Sequence, residues 1–394
     1  MITEFAIAGA GVALYRNLDK IKLRKKWKQI TYSKSQFTNN LEKTLKIWRI
    51  DRTPYGYDII TELPYGYTFE NLNRDIDIFK EGLHFQSIQL SQVNNMVIMN
   101  CVANYKFKGY SPMQLPPNKI LIADGLIKPI IVDMNKFPHM LIGGDTGTGK
   151  SRILLLILTN LIKYCSYIDL HLLQIRKNDL GVFQNCAQVK TYSKTLEEVL
   201  KELESIDKEC RRREKLIDNT KGYYNIEDYN KDNGNKLKYT YVVVEEFSFL
   251  NISRGDSKEE KALKTKCLKH LKMIVNVGRS SGVFLITALQ KPTSDSIPSD
   301  IKAQLCTRVS LKIADGPACK VILGNENATK LGEREIICRT LEEEKGYSFT
   351  MDHNLVMENI KKRIVEKKIE IEKPKEVIES DLSNILEILN GING

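Results

Sequence analysis

Leu141-Ile142-Gly143-Gly144-Asp145-Thr146-Gly147-Thr148-Gly149-Lys150-Ser151 leads from an apolar run through a glycine-rich turn into the helix-forming stretch Arg152-Ile153-Leu154-Leu155-Leu156-Ile157-Leu158. A strand, a tightly curled loop and a helix in that order constrain the fold more than any compositional figure. Glycines at 144, 147 and 149 let successive backbone N–H groups turn inward, and the helix N-terminus adds its positive dipole, so the loop is a cradle for anions. A lysine at the end of the cradle reaches β- and γ-phosphates, and the hydroxyl after it faces a phosphate-bound Mg²⁺. This is a Walker A pattern, and its strand–loop–helix setting argues against a chance lysine in a glycine-rich turn. Gly144, Asp145, Thr146, Gly147, Thr148, Gly149, Lys150 and Ser151 are therefore expected to bind ATP with Mg²⁺.

From Lys119 onward, apolar strand-like runs alternate with helical periodicity: Phe137 to Ile142, Ile168 to Ile175, Tyr239 to Val244, Val283 to Leu289 and Arg308 to Ile313. Runs apolar on both faces and separated by helices predict an α/β fold with a central, mostly parallel sheet. Leu196, Val199, Leu200, Leu203 and Ile206 repeat at helical spacing and are read as core-facing. Tyr241-Val242-Val243-Val244-Glu245-Glu246 has the form of a Walker B strand, whose terminal acids emerge beside the phosphates. Glu245 would hold Mg²⁺ through its water shell and Glu246 would orient the attacking water. The metal-side position is usually Asp, so the longer Glu245 leaves turnover open. Gln290, at the end of another apolar run, is either a γ-phosphate sensor or a polar cap on a strand end.

Length and composition set the frame for these motifs. A chain of 394 residues with 42% apolar content can bury a sizeable core and has room for two or three domains. Its eight cysteines are scattered, with no CxxC pair, which suits a reducing cytoplasm and no structural zinc. The net charge of +11 favours an anionic partner, although a Lys-, Asn- and Ile-rich composition also follows from an AT-rich genome. The expected division is a basic N-terminal segment over 1–40, a small α+β accessory domain over 41–117, the P-loop ATPase over 118–352, and a charged tail with a short amphipathic helix over 353–394. Ser111 to Asn118, rich in proline, is read as a linker. Phe5 to Tyr15 is apolar but shorter than the roughly 17 to 25 residues that span a bilayer, and a basic run follows it. A solvated basic helix, association with a membrane surface and a true span all stay open there.

The combination of motifs resembles the FtsK/SpoIIIE family of ring-forming DNA translocases. Lys128 to Met134, leading through Phe137-Pro138-His139-Met140-Leu141, is similar to that family's approach to its Walker A loop. Gly278 through Pro292 is similar to its stretch ending Ala-Thr-Gln-Arg-Pro, and Ile301-Lys302-Ala303 followed by Thr307-Arg308-Val309 keeps the spacing. The resemblance covers roughly Lys119 to Tyr347 and implies a RecA-like P-loop NTPase that assembles as a homo-hexamer around double-stranded DNA. It implies catalytic roles for Lys150, Glu246 and Gln290, the last as γ-phosphate sensor. It further implies an arginine finger at Arg308, with Arg279 as second candidate, reaching a neighbouring subunit's site. The family's pore loops correspond to Ser253 through Lys258 and to Thr293 through Lys302, where Arg254, Lys258 and Lys302 would track DNA phosphates.

Two departures limit the resemblance. Lys291 stands where the family has Arg, and too few residues follow the ATPase for the winged-helix module of chromosomal members. The layout is closer to coupling proteins of Gram-positive conjugative elements or plasmids. That implies a cytoplasmic protein, peripheral at the inner face of the membrane or free of it, with a relaxase and transfer-channel proteins as partners. Two alternatives stand beside this reading: an FtsK-like ATPase of a protein secretion system, and a hydrolysis-deficient, ATP-gated scaffold.

Overall fold

The computed structural model of the chain describes residues 2–365 apart from 40, 104, 176, 177, 220, 221, 233, 235, 291 and 294, and over 2–17 it describes the backbone only. The amphipathic pattern of Leu382, Ile385, Leu386 and Leu389 lies outside the described residues, as do the side chains of Phe5 to Tyr15. No helix among the described residues is long and apolar enough to cross a membrane.

Two sheets organise the chain. The first is antiparallel and joins β1 (Lys46–Thr53), β2 (Gly56–Glu62), β3 (Ser87–Val93) and β4 (Met96–Val102) in the order β1-β2-β4-β3. Helices α1 (Ile2–Ser33), α2 (Phe69–Arg74) and α3 (Ile76–Leu83) accompany it. The basic segment is not separate from this unit. Leu23 and Trp27 of α1 share one core with Phe37, Ile59, Phe79 and Met99, and the Trp27 indole N–H donates to the Leu45 carbonyl at 2.7 Å. An apolar stripe at i and i+4 lies among the lysines, and their stems leave it room to bury while the charges stay in water.

The second sheet has ten strands: β5 (Lys119–Gly125), β6 (Ile130–Asp133), β7 (Met140–Gly143), β8 (Ile168–Leu173), β9 (Val189–Ser193), β10 (Tyr239–Val244), β11 (Val283–Leu289), β12 (Thr307–Ser310), β13 (Glu335–Arg339) and β14 (Glu343–Tyr347). Their order is β6-β5-β14-β13-β12-β7-β11-β10-β8-β9. Every pairing from β12 across to β9 is parallel, and the pairings from β12 across to β6 are antiparallel.

Both faces of the parallel half are covered. Along β10, Tyr241 and Val243 enter one core while Val242 and Val244 enter the other, and Phe284 and Leu285 divide the same way on β11. Such strands are apolar at nearly every position, Thr240 and Thr287 being the exceptions on these two, which is why their sequence shows runs rather than alternation. The first core is closed by α4 (Lys150–Tyr164) and α10 (His353–Ile360). The second is closed by α5 (Leu196–Asp218), α7 (Lys258–Ser281) and α9 (Gly316–Leu323). The short helices α6 (Ile226–Asp232) and α8 (Ser299–Gln304) lie between strands. Val199, Leu203 and Ile206 of α5 are buried as their spacing predicts, with Leu196 and Leu200 packed at the margin.

Two boundaries differ from the sequence reading. The proline-rich segment is pinned rather than free: Asn160 of α4 pairs with both backbone groups of Met113, at 2.9 Å each, and the buried Tyr241 hydroxyl donates to the Pro117 carbonyl at 2.6 Å. The charged tail begins as part of the large core, because Val356 and Ile360 of α10 pack against α4 at i and i+4.

Candidate functional site

The C-terminal ends of β7, β10 and β11 open on one edge of the large sheet, the edge where parallel α/β folds bind ligands. The glycine-rich loop follows β7. Gly147 and Gly149 take φ of +83° and +108°, a region costly for residues with a Cβ, and Gly149 is the N-cap of α4. A Cβ on Gly144 would lie 2.7 Å from Thr148 Oγ1 and 3.1 Å from Leu311 Cβ. A side chain at 144 would therefore collide with the loop's own threonine and with the residue that follows β12. Thr148 Oγ1 closes the turn by donating to the Asp145 carbonyl at 2.7 Å, and Asp145 accepts from the Ala314 N–H at 2.8 Å. Lys150 is buried, its ammonium donating to the carbonyls of Gly144 (2.7 Å) and Asp145 (2.8 Å).

The two acids after β10 are also buried. Glu246 Oε1 accepts from Ser248 Oγ at 2.9 Å and from the Gln290 N–H at 3.2 Å, which ties the end of β10 to the end of β11. Gln290 completes the link, its Oε1 accepting from Thr146 Oγ1 at 3.4 Å. The loop, the second acid and the glutamine are therefore joined in one chain of hydrogen bonds.

One contact has no counterpart in the sequence motifs. Ser151 Oγ donates at 2.9 Å to Asp179, in the turn after β8. Burial, then the charges of Asp179 and Glu245, push the Tyr192 phenol above its usual range. No fixed spacing relates Asp179 to the glycine-rich loop; the available signal is an acid shortly after an apolar strand.

The oxygen donors suit magnesium. Ser151 Oγ at the start of α4 and the Glu245 carboxylate after β10 are hard oxygen donors, and Mg²⁺ prefers a few such oxygens together with waters and substrate phosphates. Among the described residues no group of three or more His, Cys, Asp or Glu is arranged to hold a metal alone.

Arg308 is placed differently from the expectation of a finger. Its guanidinium donates to the carbonyls of Leu305 (2.5 Å) and Lys302 (2.6 Å) at the end of α8, and to those of Ile322 (3.3 Å) and Val321 (3.5 Å) in the last turn of α9. A planar fork across two helix C-termini satisfies orphan carbonyls and complements both dipoles, so in this chain Arg308 is a cap. It lines a cavity of about 510 Å³ together with Lys302, Lys320 and Arg339. Arg279 is exposed at the opposite edge of the sheet, near the starts of β7 and β11, where its Nε donates to the Asn135 carbonyl at 3.1 Å.

The two segments read as pore loops are connected. Asn251 Nδ2 donates to the Ser296 carbonyl at 2.7 Å, and Ser296 Oγ accepts from the Thr293 N–H at 2.8 Å. Arg254 and Lys258 are exposed, whereas Asp256 between them is held by Lys264 at 2.8 Å, which keeps its carboxyl well below the usual range. Lys302 is half-buried on α8.

With the geometry in hand, comparison with known proteins is specific. The family model of the FtsK/SpoIIIE family matches residues 113–295. The DNA translocase FtsK of Helicobacter pylori strain J99 is 30% identical over 231 residues, covering 57% of this chain and 26% of that protein. The DNA translocase SpoIIIE of Bacillus subtilis strain 168 is 28% identical over 235 residues, covering 55% of this chain and 28% of that one. The chain thus spans about a quarter of the length of these relatives. Among solved structures, the pCW3 conjugation coupling protein TcpA, in its monomer form with ATPγS, superposes with a TM-score of 0.61 at 21% identity, covering 87% of this chain and 99% of that one. EssC (ATPases 2 and 3) from Geobacillus thermodenitrificans superposes with a TM-score of 0.55 at 15% identity, covering 66% of this chain and 50% of that one. At these identities the superpositions establish the fold. The glycine-rich loop and the acids after β10 lie within one region, residues 113–295, that matches the FtsK/SpoIIIE family model, and the superpositions give it a P-loop ATPase fold.

Proposed function

We propose that the chain is an ATP-driven double-stranded DNA translocase that works as a homo-hexameric ring and couples plasmid or conjugative-element DNA to a transfer apparatus. The observation that carries this reading is the constellation of Thr146, Glu246 and Gln290, which joins the phosphate loop to the strand end from which the second candidate DNA segment departs.

Lys150 binds the β- and γ-phosphates by exchanging two neutral carbonyls for charged oxygens. Glu246, oriented by Ser248 and the Gln290 N–H, holds the attacking water in line and takes its proton. Gln290 senses whether the γ-phosphate is present, because its amide and its backbone are tied to the loop and to the acid respectively. Ser151 and Glu245 are the residues that would hold Mg²⁺, which when bound neutralises charge developing on the phosphates. A change at Gln290 passes to Thr293 and Ser296, and through Asn251 to the segment carrying Arg254 and Lys258, which grip DNA phosphates without reading bases.

The family relatives named DNA translocases support DNA as the cargo. The near-complete coverage of a conjugation coupling protein supports transfer as the setting, with a relaxase and channel proteins as partners. Protein secretion is the second reading, favoured by the superposition on the Thermomonospora curvata Type VII secretion ATPase EccC, with a TM-score of 0.51. The scaffold reading rests on Glu245 in place of Asp. One assay separates the three. ATP hydrolysis by the full chain should accelerate with linear duplex DNA and vanish in Lys150→Ala. Hydrolysis indifferent to DNA would favour secretion, and nucleotide binding without turnover would leave the scaffold.

A further inference from the structure

We propose that Asp179 is a positioning residue for the magnesium ion: it takes the hydroxyl proton of Ser151 in a hydrogen bond and so turns the lone pairs of Ser151 Oγ toward the metal. The inference rests on the reading of Ser151 as a magnesium-side residue. A serine hydroxyl has one O–H and two lone pairs on a freely turning bond, and in the wrong rotamer it presents a proton to a cation. Asp179 Oδ2, 2.9 Å away, removes that freedom and makes the oxygen a stronger donor to metal, as outer carboxylates do for metal ligands generally.

Asp179 is not a loose surface acid. The residue before it, Asn178, accepts from the Tyr192 hydroxyl at 2.8 Å, and the Leu180 N–H after it donates to Gln174 Oε1 at 3.0 Å. Leu180 and Gln174 are fully buried, so the turn is anchored on both sides while the Asp179 carboxylate stands exposed at the sheet edge. Glu245 is a methylene longer than the usual Asp, and a rotor held by Asp179 restores geometry that the longer side chain does not impose.

The test is binding of a fluorescent ATP analogue to the full chain, titrated with Mg²⁺ and repeated in EDTA, for wild type, Asp179→Ala, Asp179→Glu and Ser151→Ala. In Asp179→Ala the Mg²⁺ concentration for half-saturation should rise about 10- to 100-fold. Affinity in EDTA and thermal stability should stay at the wild-type level, and Asp179→Glu should recover part of the loss. A magnesium curve for Asp179→Ala that superposes on wild type overturns the proposal. So does a parallel loss of stability and of affinity in EDTA, since Asp179 would then merely shape its turn. A wild-type protein whose nucleotide affinity ignores Mg²⁺ would instead overturn the reading of Ser151, and this inference with it.

Discussion

Lys150 and Arg308 are both cations held by backbone carbonyls of their own chain, and the contrast between their surroundings separates a ligand-binding group from a structural one. Lys150 touches two carbonyls of the very loop it ends, on a flexible four-carbon stem. A small rotation exchanges those neutral acceptors for phosphate oxygens, with a gain in charge attraction. Arg308 spreads a rigid fork over the C-termini of α8 and α9. Moving it would uncap two helices, and a group whose departure costs that much is poorly suited to reach out of the molecule.

The sharpest way to break this contrast is to truncate both residues and compare activity with stability. Lys150→Ala should lower ATP hydrolysis on the order of 10²–10³-fold, as loss of a transition-state donor does, while leaving the melting temperature within a degree or two. Arg308→Ala should do the reverse. A Lys150→Ala protein that hydrolyses ATP at half the normal rate would remove the loop from the chemistry.

The next effect concerns the scaffold common to both regions. His139, fully buried just before β7, accepts from the Leu285 N–H at Nδ1 (3.0 Å) and donates from Nε2 to the Val275 carbonyl (2.9 Å). A charged ring could not accept from Leu285. Burial therefore pulls the His139 pKa down to about 4, below its usual 6.5. Because the folded value is depressed, the neutral ring's contribution is complete above about pH 6.5 and is lost as pH falls toward 4, an amount of roughly 3 kcal/mol. Denaturation of wild type and His139→Gln between pH 7 and 4.5 should show a steeper loss in wild type. Equal slopes would mean that the ring is not held neutral.

Arg308→Ala should cost about 2–3 kcal/mol by leaving carbonyls at two helix ends without their charged partner. Thermal unfolding measures it. If instead stability is unchanged and mixed wild-type and variant assemblies lose hydrolysis beyond simple dilution, the finger reading returns and the comparison fails. The smallest effect is expected from Thr146→Val, which removes a long and exposed hydrogen bond to Gln290. A two- to fivefold loss of DNA-stimulated hydrolysis corresponds to about 0.5–1 kcal/mol. Loss of stimulation with basal hydrolysis intact would sharpen the assignment of Gln290 as sensor.

The residues readable in advance share a physical trait. Gly144 to Ser151 is contiguous, and its backbone geometry follows from local sterics. The strands β10 and β11 are apolar runs because both faces are buried, and that signature survives without knowledge of what covers them. Glu245 and Glu246 could be assigned because they end such a run. Asp179 could not, since its contact with Ser151 joins the turn after β8 to the start of α4 after β7, strands that are not neighbours in the sheet. Arg308 shows the opposite case: the family resemblance implied a role, but the acceptors of its guanidinium come from α8 and α9, which local reading leaves unplaced. Leu23 and Trp27 were hidden among lysines, and Val356 and Ile360 among the charges of a presumed tail, because a two-residue stripe is too weak to outweigh composition.

By itself, the sequence determined that this chain folds around a phosphate-binding loop in a parallel α/β sheet, since glycine conformations and runs of buried strand residues are local consequences of residue type. The tertiary structure alone decided which side chains meet at that loop. It brought Glu246 to Gln290, Gln290 to Thr146 and Asp179 to Ser151, and it turned Arg308 inward. The reason is that a hydrogen bond between strands depends on sheet order and register, which are set by the packing of two cores and leave no mark on the spacing of the residues they join.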